Sequence, residues 1–175
     1  GELPSRAAQE AALAAHAAVD ETRNTAKTEL RAYLSVNPGR MDIQNPEKTM
    51  RFGMYPVMRN AGQTPAYKVR FVSEMKLLPV PLPQGFDFTL PDHGGSVVTL
   101  AAGETCDIIK LIDHHLDESE LGELFTAGGR RLYAWGHVWY EDVWERTHET
   151  HFCFHVEFAP DRPIWITDSR NTHAR

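Results

Sequence analysis

Cysteine is scarce in this sequence: Cys106 and Cys153 are the whole complement in 175 residues. Two cysteines permit one disulfide without requiring it, because a chain of this length can bury a substantial core without a covalent staple. Positive charge is also short, with 18 Lys and Arg against 24 Asp and Glu and a formal net charge of −6. That balance excludes a dedicated nucleic-acid binder, which needs a surplus of Lys and Arg on one face to neutralise phosphates. No apolar run approaches the roughly 18–20 residues needed to cross a bilayer. A Gly-rich phosphate loop is missing, since Gly94-Gly95 and Gly128-Gly129 are plain turn pairs, and no serine stands in a nucleophile-elbow context. What remains is an ordinary globular composition, 42% hydrophobic and 24% charged, which predicts one folded domain without a catalytic signature.

From Ser5 to about Leu34 the chain is Ala-rich and free of Pro and Gly, with Ser5 placed as an N-cap. This predicts a long helix over 1–34, followed by a β domain over 35–175. Its larger apolar residues, among them Leu13, Val19, Leu30 and Leu34, are too few for a strong amphipathic stripe. The first half is open to projecting as a stalk or coiled-coil partner or to packing; the second half is expected to pack on the domain.

After Asn37-Pro38-Gly39 the texture turns to β. Met50 to Met58 reads as a strand. Tyr67, Val69 and Phe71 alternate with Lys68 and Arg70, the period-two pattern of a strand with one wet face. Pro79, Pro81 and Pro83 forbid a central strand and favour an extended crossover. Val97 to Leu100 and Thr105 to Ile112 are further strand candidates, and Asp117 to Phe125 predicts one short inserted helix stopped by Gly128-Gly129. Arg131 to Glu141 and Glu149 to Phe158 form the clearest β pair. Several short strands without βαβ alternation predict a mainly β fold, an immunoglobulin-like antiparallel β-sandwich behind the N-terminal helix.

The last pair holds the candidate site. Phe152, Phe154, Val156 and Phe158 share one face of their strand and must look inward; His151, Cys153, His155 and Glu157 share the other. A register that sets the phenylalanines over Leu132, Ala134, Gly136 and Val138 gathers Trp135, His137, Trp139, His151, Cys153 and His155 on the opposite face. Two readings follow. Trp135, His137 and Trp139 either form a partner surface or are covered by the N-terminal helix. Alternatively His137, His151, Cys153 and His155 bind zinc or copper, since same-side residues on a strand stand about 6.5–7 Å apart. Cys153 with a neighbouring histidine fails as a nucleophile–base pair, because i and i+2 side chains run parallel. Asp113-His114-His115 is similar to the triplet of the DHH phosphoesterases, but that family's other acidic clusters are missing, so a surface turn is expected.

Three stretches together resemble a family of uncharacterised bacterial membrane-anchored proteins: the Ala-rich helix running into Leu30-Arg31-Ala32-Tyr33-Leu34, the segment Asn60 to Val69, and Leu132 to Asp142 followed by His148 to Cys153. The resemblance implies a membrane segment before Gly1, an extracytoplasmic (periplasmic) position, and no activity or site residues. Asn60-Ala61-Gly62-Gln63-Thr64-Pro65-Ala66 is similar to a turn of bacterial immunoglobulin-like modules, with Gly62 suited to positive φ and Asn60 to bonding the local backbone. Trp144-Glu145-Arg146 stands in the hairpin loop where a Phe-Gly pair is expected, which leaves the tightness of that turn open. The expectation is a non-enzymatic, membrane-tethered interaction or structural module that takes a protein partner or self-associates, binds no nucleic acid and needs no cofactor. The competing expectation is the zinc or copper domain.

Overall fold

The computed structural model describes residues 5–44, 50–92, 94–168 and 172–175. It is mainly β, with two antiparallel sheets behind a long N-terminal helix. Helix α1 spans Arg6–Leu30, and the Ser5 hydroxyl accepts from the Ala8 amide as its N-cap. None of its 25 residues is buried. Alanine has the highest intrinsic helix propensity, so a run this rich in it can stay helical with no tertiary face. The expected packing of the second half is therefore overturned, and for the reason visible in the sequence: that half has no apolar stripe to bury. The helix is also shorter than expected. Its last turn ends at Leu30, and Ala32 and Leu34 are fully buried in the core of the β domain. No helix among the described residues is long and apolar enough to cross a membrane.

Strand β1 (Leu34–Gln44) pairs with β2 (Arg51–Asn60), and the other side of β2 pairs with β5 (Thr105–Asp107) and β6 (Lys110–Leu111). Asn37-Pro38-Gly39 does not precede the first strand but lies inside it, at a register shift between Asn37 and Arg40. An edge strand tolerates this, because a proline there need not donate to a neighbour and a bulge takes up the extra residue. Gly39 is required at the bulge, since a Cβ there would run into the Tyr55 carbonyl.

The second sheet is built on β3 (Ala66–Leu78), β7 (Arg131–Glu141) and β8 (Thr147–Phe158), with β4 (Val98–Leu100) at one edge. Along the other edge, β9 (Pro163–Thr167) and β10 (His173–Ala174) each pair with a part of β8. The short helix α2 (Glu118–Leu124) is closed by a capping box between Asp117 and Glu120.

The sheets share one apolar interior. Leu34, Val36 and Met58 from the first meet Val69, Val138, Phe152 and Phe154 from the second. Phe52 and Met54 meet Met75, Leu77, Leu132 and Ala134, with Leu116 and Leu124 closing that end. The β7–β8 register is the expected one, Ala134 opposite Phe154 and Gly136 opposite Phe152. A Cβ at 136 would collide with the Phe152 ring, so glycine makes room for it.

Two turns fix the frame of this hairpin and its neighbour. Asn60 is fully buried, and its amide makes every bond it can: it accepts from the Tyr33 and Gly62 amides and donates to the Thr64 and Leu100 carbonyls. Gly62 serves close approach rather than positive φ, since a Cβ would meet the Arg31 carbonyl and the Tyr33 amide. The hairpin loop with Trp144-Glu145-Arg146 is tight. The Asp142 carboxylate accepts from the Trp144 and Arg146 amides, Asp142 and Arg146 exchange a backbone bond, and Glu145 takes φ 61°.

Candidate functional site

The outer face of the second sheet is covered, but not by α1. The proline-bearing crossover after β3 lies over it and sends Leu82, Phe86, Phe88 and Leu90 down onto Tyr133, Trp135 and Cys153. Phe86 meets Trp135 edge to face at 5.4 Å between ring centroids. Trp135 is consequently 4% exposed and His137 7% exposed. Trp139 is half-buried, with the Arg70 guanidinium 5.5 Å from its ring centroid.

Strand parity brings His137 and His151 together as direct cross-strand partners, their rings 4.0 Å apart between centroids. On the other side of β8, His173 of β10 pairs with His151 and stacks on it at 4.3 Å. Three imidazoles thus form a row across three adjacent strands. Glu149, on the same face one pleat along β8, sets its carboxylate 2.6 Å from the His151 Nε2. Its backbone exchanges both hydrogen bonds with Arg175, which holds the chain end beside the row.

The electrostatics follow from burial. Desolvation pushes the His137 imidazole below its ordinary pKa, His151 and His173 push it further, and Glu149 and a bond to the Phe88 backbone act against them. His173 is likewise lowered, first by burial and then by His151 and Arg175. The Nε2 of His137 is buried and has no hydrogen-bond partner. Each nitrogen of a neutral imidazole is either a donor or an acceptor, so this one carries an unmet hydrogen-bonding capacity.

The ligand set expected along the strand is only partly assembled. Among the described residues, one atom each of His137, Glu149 and His151 lie within 4.8 Å of one another. Cys153 and His155 fall outside that group. Cys153 sits opposite Trp135 in the apolar cluster under the crossover, and His155 sits opposite Tyr133, whose ring lies 4.9 Å away. Both lie further along β8, away from the His137–His151 pair, whereas the longer Glu149 side chain spans the i, i+2 gap of about 6.5–7 Å to reach His151. Glu149 and His173 were missed from sequence. Glu149 has the same strand parity as His151, and the Ile164-Trp165-Ile166 run after Pro163 marks another edge strand beyond β8.

No disulfide joins Cys106 and Cys153, which lie in different sheets. Asp113-His114-His115 is the expected surface turn, with His114 Nδ1 2.6 Å from Asp113 and Nε2 3.1 Å from Glu120. No protein-family model, curated protein or solved structure matches this chain.

Proposed function

We propose that this chain is a non-enzymatic, membrane-tethered interaction or structural module, a β domain carried on a helical stalk. Its partner is another protein or a second copy of itself, and the two sheets take an immunoglobulin-like arrangement on the extracytoplasmic side. The observation that carries the reading is the contrast between α1 and the domain behind it. The helix buries none of its residues, while the sheets close their interior without it. A helix held by alanine propensity alone adds length rather than core, which suits a spacer. Leu13, Val19 and Leu30 stay exposed along it and are the apolar side chains a partner helix would cover.

Deleting residues 1–30 tests this. A stalk predicts a melting temperature within about 2 °C of the full chain's, on the rule that about 1 kcal/mol moves a domain of this size by a few degrees. It also predicts a changed mass by light scattering. A deletion that unfolds the β domain, or that leaves self-association untouched, would overturn the stalk reading.

A further inference from the structure

We propose that His137, Glu149 and His151 form a binding site for a divalent late first-row cation of the zinc(II) type. The site goes beyond the interaction role, since it would exist whatever the partner.

Three independent features converge on it. The first is the donor set. Two imidazoles and a carboxylate form the ligand chemistry that zinc(II) accepts, and no thiolate is needed. The second is reach. Tetrahedral coordination at about 2.0–2.2 Å puts ligand atoms about 3.3–3.5 Å apart. The three donor atoms already lie within 4.8 Å of one another, so modest side-chain rotation closes the set. Glu149 and His151 are closer than that, at 2.6 Å, and a cation entering between them would part them to ligand spacing.

The third is the unpaired nitrogen. His137 is 7% exposed, and a buried Nε2 without a partner is unfavourable unless something engages it. The same crossover that buries Trp135, two residues away on this face of β7, shields this part of the sheet from water. Access comes from the other side, where the His151 and Glu149 side chains are 14% and 34% exposed.

Zinc(II) titration of the full chain by calorimetry, after chelator treatment and its removal, tests the site. One equivalent should bind. His137→Gln and His151→Gln should each weaken binding by more than about 100-fold, beyond what loss of an outer-sphere partner costs. Cys153→Ala should bind as the parent does. No zinc uptake, equal uptake by the His137→Gln/His151→Gln double variant, or loss on Cys153→Ala would each overturn the proposal. Because a row variant can lose its fold, the parent protein loaded with cobalt(II) supplies a second readout. Visible d–d bands without a thiolate charge-transfer band support the imidazole–carboxylate set, whereas a thiolate band or no cobalt spectrum refutes it.

Discussion

The molecule carries two histidine clusters that look alike in composition and differ in every physical respect. At the surface turn, His114 lies between Asp113 and Glu120 with both ring nitrogens engaged, and its side chain is 49% exposed. The hydrogen bonds to Asp113 and then Glu120 raise its pKa above that of a free imidazole. On the covered face three imidazoles stand in a row with one carboxylate beside His151, His137 is buried, and its pKa is lowered. The first cluster is a satisfied ion pair that also props the capping box of α2 through Glu120. The second has a buried ring nitrogen with no hydrogen-bond partner. Neither outcome is written in the residue types; burial and the count of partners decide it.

The largest effect should come from a third histidine, which separates burial from partner count. His148 and Asp142 stand 2.7 Å apart at the turn end of the β7–β8 hairpin, both buried, with Asp142 2% exposed. Burial alone would raise the Asp142 pKa, but the bonds from His148 and from the Arg146 and Trp144 amides outweigh it and hold it below its ordinary value. A group lowered in this way stabilises the fold above its unfolded pKa and loses that contribution as pH falls through the folded one. Asp142→Ala should cost about 3 kcal/mol or more by chemical denaturation at neutral pH, because it strands a buried imidazole and two turn amides. A cost no greater than that of Asp113→Ala would break the comparison.

The next effect is a difference in sign with pH. His155 faces Glu157, Asp168 and Arg131; burial lowers its pKa first, Arg131 adds to this, and the carboxylates oppose it. Its contribution to stability is present above the unfolded value, near 6.5, and fades as pH drops below that. His114, being raised, contributes below its unfolded value and loses that contribution as pH rises through the folded one. Unfolding curves at pH 7.5, 6.5 and 5.5 should therefore show His155→Gln flattening the acid-side loss and His114→Gln steepening it. The same slope in both variants would show that the two environments do not differ as described.

Much of this was legible beforehand, for a plain reason. Where a strand has one apolar face, period-two alternation sets both its register and the side each residue takes, and Gly136 opposite Phe152 left no other fit. The opposite face, with Trp135, His137 and His151 on it, followed from the same parity. Three things did not follow. Pro38 and Gly39 look like a chain break unless β1 is known to be an edge. Leu82, Phe86, Phe88 and Leu90 were passed over as an extended crossover, although their spacing is that of a strap with one apolar side. His173 sits on a two-residue strand, shorter than any periodicity can mark. Glu149 stands on the same strand and face as His151, and only the reach of its side chain, which alternation does not show, marks it as part of the site.

The smallest expected effect belongs to the motif that draws the eye first. His114→Ala removes a half-exposed side chain whose two ion pairs are screened by solvent, so stability should change by less than about 1 kcal/mol. The Glu120 carboxylate keeps its bond from the Asp117 amide, and Asp117 keeps the one from the Glu120 amide, so the helix start survives the change. Zinc affinity should be unaltered as well, because His114 belongs to the α2 turn and takes no part in the histidine row. Calorimetry on this variant beside His151→Gln makes the comparison sharp. If His114→Ala were the one to lose the cation, the exposed carboxylate–imidazole–carboxylate group would be the metal ligand and the orphaned nitrogen of His137 mere packing.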